Sequence, residues 1–203
     1  ITKSLSAGSG IVRYFYGDGV PSDCDPEDIT KIIRTRSDPA KNPFTFFSCT
    51  NNDSDTEWMK DCEEVALNCA EFDDFNDESH EVLKDQGKAF PYSFGLHLVG
   101  GLVAAVDQTL DSLDESAPLA KNTMSELVGY QISDSEYDFY WKEFMAAQNL
   151  KRPESKQDKI SKEYLSKWNK EEFRRANING DIPAVQEYRK NMMESRDSGC
   201  VIA

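Results

Sequence analysis

The sequence predicts an α-rich α/β fold. A small parallel sheet comes from an N-terminal βαβα unit and is followed by a mostly helical C-terminal half. Three observations predict it. Ile11–Tyr16 and Phe44–Cys49 are dense in aromatic and β-branched residues and bounded by turn formers. A helix start stands after each of these runs, and strand–helix–strand order packs naturally as a parallel pair with a helical crossover. From residue 93 onward apolar residues recur at spacings of three and four, the helical period.

The elements follow in order. Residues 1–10 are rich in Ser and Gly and read as a flexible lead-in. Ile11–Tyr16 reads as a buried strand ended by Gly17-Asp18-Gly19. Asp25-Pro26-Glu27-Asp28 starts a helix, with Asp as cap, Pro at the first helical position and acids in the first turn. That helix carries Ile29, Ile32 and Ile33 and stops near Pro39. Phe44–Cys49 is the second strand, and Ser54-Asp55-Thr56-Glu57 is a capping box opening the second helix.

Beyond residue 67 only helices are predicted. An acidic stretch from Glu71 leads into a helix ending at Gly87. Ser93 caps a long helix reaching Leu113, apolar nearly all round in its first half and therefore expected at the centre of the fold. A short helix spans Asn122–Tyr130, and Ser133-Asp134-Ser135-Glu136 is a second capping box. A helix follows the polar linker at Pro153 and runs to about Ala176. A last one is capped by Asp181. The expected organisation is a core over 11–150, a helical extension over 151–194 and a mobile tail over 195–203.

The net charge of −14 excludes general affinity for nucleic acid. The charge is uneven: residues 51–90 hold thirteen acids against three bases, while residues 151–203 hold nine against twelve. None of the five cysteines forms a CxxC pair, so a zinc ribbon is excluded. An intracellular, cytoplasmic chain with reduced thiols is expected. The alternative is a secreted chain, its start at Ile1 following a removed leader, with disulfides among Cys24, Cys49, Cys62 and Cys69.

Cys200-Val201-Ile202-Ala203 has the form of a prenylation box, with Ala at the end favouring farnesyl. Chance gives such an ending in roughly one chain in a thousand at ordinary residue frequencies. Cys200 is thus the expected lipidation site, and a membrane surface reached through a prenyl group is the expected partner. One farnesyl binds membranes marginally, so a second contact is needed. On one continuous helix Lys156, Lys159, Lys167, Lys170 and Arg174 would share a face suited to anionic lipid. The expectation favoured here is a solvated face, interrupted by Glu163 and carrying pairs such as Glu163–Lys167, with lipid contact as the alternative.

Two further sites compete with that reading. Ligands of parallel sheets bind outside the carboxyl ends of the strands, which here offer Asp18 and, just before a helix N-terminus, Cys49. Cys49 is the candidate nucleophile of an enzyme, with only His80 and His97 as possible histidine bases. The acidic stretch offers Asp74, Asp77, Glu78 and Glu81 on one helical face, a donor set for Ca²⁺ or Mg²⁺. Asp73-Asp74-x-x-Asp77 resembles the aspartate-rich motif of terpene synthases over five residues and carries no activity over. Asp53-x-Asp55-x-Glu57 is excluded as an EF-hand because Trp58 stands where the turn needs Gly. The function expected first is a peripheral-membrane or protein-interaction module, ahead of an enzyme using Asp18 and Cys49 and of a divalent-metal protein.

Overall fold

The computed structural model describes residues 10–151 and 156–197. The fold is α/β and α-rich, with the parallel sheet at the N-terminal end and a helical C-terminal half. The chain divides into two compact units, Ile1–Glu78 with Phe94–Asp111, and Ser79–Ser93 with Ser112–Ala203.

The first unit is built on β1 (Arg13–Gly17), β2 (Phe44–Ser48) and β3 (Cys69–Phe72), all parallel and in that order across the sheet. Helices α1 (Pro26–Arg34) and α2 (Asp53–Val65) make the two crossovers. Both pack on one face of the sheet. Side chains alternate along a strand, so the register places Phe15, Phe46 and Glu71 in one row on that face. Ile29 and Ile33 of α1 and Trp58, Met59 and Cys62 of α2 close over Phe44 and Phe46. Phe46 is fully buried, and burial of one such ring contributes about 1.5–3 kcal/mol.

Helix α4 (Phe94–Val103) lies across the other face. A Cβ on Gly101 would stand 2.5 Å from Phe47 Cε1, and one on Gly100 2.9 Å from Phe72 Cζ. Only glycine lets this helix come so near the strands. The Tyr14 hydroxyl donates to the Leu102 carbonyl at 2.7 Å, tying β1 to the end of α4.

At the amino ends of the strands Arg36 is buried and donates to the carbonyls of Ile33, Asn42, Leu67 and Asn68. Burial lowers its pKa, and these carbonyls satisfy its fork of donors.

Helix α3 (Phe75–Gln86) passes from the first unit into the second. It ends at Gly87, at φ +85°, where an added Cβ would meet the Glu143 backbone at 2.7 Å. The short helix α5 is Gln108–Asp111. The second unit holds α6 (Lys121–Val128), α7 (Asp134–Leu150), α8 (Lys156–Tyr164), α9 (Lys170–Arg175) and α10 (Pro183–Asp197). Ser133 and Glu136 form the expected reciprocal capping box at the start of α7. An aromatic cluster follows: Trp168 meets Phe173 at 5.6 Å and Tyr188 at 5.5 Å between ring centroids, and Trp141 meets Phe173 at 5.5 Å.

The loop 112–120 is held by buried polar groups. Gln86 Nε2 lies within 3.1 Å of the carbonyls of Leu113, Glu115 and Ala117, and Tyr140 donates to Gln86 Oε1 at 2.7 Å. Ser116 donates to Asp85 at 2.5 Å, and Lys151 donates to both Asp85 and Ser116.

Three expectations are corrected. A third strand, Cys69–Phe72, stands where only a helix approach was expected. Helix α2 begins at Asp53 with Asn52 as its cap, and Ser54 donates to Asn52 rather than capping the helix. The long helix expected over 93–113 ends at Val103, because Asp107 accepts from the Thr109 N–H and opens α5.

Candidate functional site

The carboxyl ends of β1 and β2 do lie together. The Cys49 N–H donates to the Gly17 carbonyl at 2.8 Å, which puts Asp18 and Cys49 on neighbouring loops, both exposed. Parallel pairing brings this about: the Gly17–Ser48 register continues one step beyond the strands. The Cys49 thiol donates to the Phe47 carbonyl at 3.6 Å. His97, the histidine of this unit, is buried among the rings of Phe72, Phe75 and Phe94 at centroid distances of 5.4, 5.6 and 6.2 Å. Burial lowers its pKa, against a smaller raising effect from Asp74. It packs as a core aromatic. His80 stands on α3 in the second unit.

The acidic stretch divides its work. Asp74 caps α3, its Oδ1 accepting from the N–H groups of Asn76 and Asp77 at 2.7 and 3.3 Å. Glu78 is buried, and Glu81 is exposed one turn beyond Asp77. Among the described residues no three His, Cys, Asp or Glu side chains form a group that could hold a metal ion.

The carboxylates that do converge were missed at the level of sequence. Glu71 points from β3 under α2, and its Oε1 is buried without a hydrogen-bond partner. Asp73, two residues on, is buried and pairs with Lys60 of α2 at 2.6 Å. Burial pushes the Glu71 carboxyl up to about 9, with Asp73 adding to the rise and Lys60 opposing it. At neutral pH Glu71 is therefore a protonated acid that can donate. No periodicity flags it, because one acid inside a four-residue strand looks like part of an acidic loop.

The first unit also carries an exposed apolar surface. Phe94, Leu98, Val99, Leu102 and Val106 are each 47–57% exposed. At 100° per residue Leu98, Val99 and Leu102, with Gly95, fall on one side of α4, opposite the buried His97 and Gly100, and Val106 follows in the turn beyond the helix. Tyr14 and Tyr16 of β1 border this side: Tyr14 bonds to Leu102, and Tyr16 stacks on Phe47 at 4.7 Å and is 63% exposed. The expected central position of this helix is thus corrected: one face is buried by the sheet and the other is open. The signal was present, since a helix apolar on all sides with glycines on one of them has two faces to cover.

Cys200 and the rest of its box lie outside the described residues, as do residues 1–9 of the lead-in. The cationic face expected over Lys156–Arg174 does not form on one helix, because the chain breaks between Tyr164 and Lys170. Lys170 pairs with Asp138 at 2.9 Å, and Arg174 pairs with Asp134 and Glu171 at 3.0 and 2.7 Å. Lys167 lies 3.9 Å from both Glu163 and Glu187, so these cations face carboxylates of their own chain. No helix among the described residues is long and apolar enough to cross a membrane. No protein-family model, curated protein or solved structure matches this chain.

Proposed function

We propose that this chain is a protein-interaction module whose contact surface is the open side of α4 together with the edge of β1. One observation carries the reading: residues 93–106 contain no Asp, Glu, Lys or Arg in a chain that is 30% charged, yet five large apolar side chains there stand about half exposed. Charge depletion with exposed apolar and aromatic groups is what distinguishes the core of a protein contact from ordinary surface.

The test uses the full chain at submicromolar concentration with the apolar dye bis-ANS. The Leu98→Lys, Leu102→Lys double variant binds several-fold less dye at unchanged circular dichroism. Equal dye binding by both proteins removes the reading.

In a protein whose C-terminus is Ala203, a prenyl group on Cys200 would tether this module to a membrane surface, the second reading, favoured by Cys200-Val201-Ile202-Ala203 alone. Intact mass of protein made in a eukaryotic host tests it: a farnesyl adduct is expected, and an unmodified Ala203 terminus removes it. The enzyme reading at Asp18 and Cys49 and the Ca²⁺ or Mg²⁺ reading at Asp74, Asp77, Glu78 and Glu81 rank below. His97 is engaged in the core, and Asp74 is engaged in capping.

A further inference from the structure

We propose that Cys62 and Cys69 form a reversible dithiol–disulfide centre in which Cys62 is the attacking thiol. The pair lies on the face of the sheet that α1 and α2 cover and owes nothing to the α4 surface.

Topology brings the two sulfurs together. A crossover helix runs antiparallel to the strands it joins, so the last turn of α2 meets the start of β3. Cys62 stands in that last turn, and Cys69 is the first residue of β3. Cys69 pairs with Phe44 in the register and shares its face, the one packed under α2. Asn68, at φ +51°, turns the chain between them. Both cysteines are buried, and their thiols are hydrogen-bonded to each other.

Polar groups converge on the pair. The Thr30 side chain of α1 also hydrogen-bonds to Cys62. Buried Arg36 donates to the carbonyls of Leu67 and Asn68 at 2.5 and 2.8 Å, inside the turn that separates the two cysteines. Its guanidinium favours negative charge on either sulfur. The hydrogen bond from Cys69 holds the Cys62 thiol below its ordinary pKa, with Thr30 and Arg36 adding to the fall and burial and Glu63 opposing it. The same hydrogen bond, and then burial, pushes Cys69 up. A lowered thiol beside a raised one is the division of labour between an attacking and a resolving sulfur. Cysteines kept only as small hydrophobes need neither a hydroxyl nor a cation.

The oxidant is hydrogen peroxide, which reaches the pair as the first unit opens. The Cys62 thiolate attacks one peroxide oxygen. An S–O bond forms, the O–O bond breaks, and the departing hydroxide takes up the proton that Cys62 had released. The Cys69 sulfur then attacks the sulfenic sulfur of Cys62. The S–S bond forms, and the hydroxyl leaves with the Cys69 proton as water. Two thiols and one peroxide thus give one disulfide and two waters, the sulfurs losing the two electrons that the peroxide gains. A small dithiol reverses the step by exchange.

The experiment treats the reduced full chain with hydrogen peroxide, alkylates the remaining thiols and digests with trypsin. Residues 61–84 contain both cysteines and no Lys or Arg before Lys84, so the pair falls on one peptide, apart from Cys24, Cys49 and Cys200. That peptide is expected to lose two hydrogens, to take up no alkylating reagent and to recover both thiols in dithiothreitol. Two alkylated thiols, or a sulfinic acid on either cysteine, overturn the disulfide. Equilibration with glutathione then separates the fold from mere nearness in sequence. The native chain is expected to hold the disulfide at an oxidised-to-reduced glutathione poise about ten-fold or more lower than the urea-unfolded chain requires. An equal or higher poise shows that the fold does not favour the bond and overturns the centre. Cys69→Ser is expected to leave on Cys62 a sulfenic acid that dimedone captures, and Cys62→Ser to leave none on Cys69. The reverse overturns Cys62 as the attacking thiol. Both wild-type measurements decide the disulfide whether or not these variants fold.

Discussion

Glu71 stands beside Phe46 in the β2–β3 register, a carboxyl group set into the aromatic layer under α2. Its neighbours there are Asp73, Glu78 and Glu63, with Lys60 as the nearby cation. Its folded pKa is raised to about 9, while an unfolded chain releases that proton near 4.5. Between these values the folded state binds more protons than the unfolded one. Its contribution is therefore fully present below pH 4.5 and is lost as pH rises towards 9. Unfolding free energy from urea titration is expected to fall by about 2 kcal/mol from pH 6 to pH 8 through this group. Glu71→Gln is expected to flatten that slope and to be the more stable protein at pH 8. Parallel slopes for the two proteins would mean that Glu71 is ionised in the fold.

Asp85, Ser116 and Lys151 form a buried staple in the second unit, the Lys151 and Asp85 side chains being 8% and 9% exposed. Burial pushes the Lys151 ammonium down, to about 8, with Asp158 opposing that fall and Lys84 and Lys162 adding to it. Removing one partner leaves the other charge buried and unpaired. Lys151→Met alone, or Asp85→Asn alone, is expected to cost about 3–5 kcal/mol. The double Asp85→Leu, Lys151→Met variant is expected to cost much less than the sum of the two. Additive losses in urea unfolding would show that the pair is not coupled.

How much of this was legible beforehand depended on range. The Ser133 box was readable because its four residues satisfy one another locally. Strands β1 and β2 were readable because their aromatic density has no helical period. Strand β3 was not: four residues are too few for a pattern, and Glu71 puts a carboxylate on the face where alternation calls for an apolar group. The Lys60–Asp73 pair, the Tyr14–Leu102 bond and the Gly101–Phe47 approach join residues 13, 88 and 54 positions apart, and no local spacing encodes them. That Asp18 and Cys49 stand on neighbouring loops follows from strand order, since a strand–helix–strand unit pairs in parallel.

The glycines at the two close approaches make a graded test. At Gly101 an added methyl meets flexible Phe47 and Phe72 rings, so Gly101→Ala is expected to cost about 1–3 kcal/mol as overpacking. At Gly87 the obstacle is the Glu143 backbone, and φ is +85°. Gly87→Ala is therefore expected to cost more than Gly101→Ala. Thermal unfolding in the order wild type, Gly101→Ala, Gly87→Ala checks it; the reverse order of the two variants contradicts the geometry.

Thiol reactivity separates the cysteines by position and weighs the enzyme reading. Cys24 and Cys49 are exposed, whereas Cys62 and Cys69 are buried between the end of α2 and the start of β3, hydrogen-bonded to each other. Reaction with a disulfide reagent in native buffer is expected to label Cys24 and Cys49 within the mixing phase. Cys62 and Cys69 are expected to react only at the rate at which the first unit opens, and quickly in denaturant. The Cys49 rate carries the functional weight, because only Cys49 sits between a strand end and the N-terminus of α2. A nucleophile activated by that position reacts about ten-fold or more faster at pH 7 than a cysteine in an unstructured peptide. The interaction-module reading expects Cys49 to react within a few-fold of that peptide. A Cys49 rate far above it would move the site at Asp18 and Cys49 to first place.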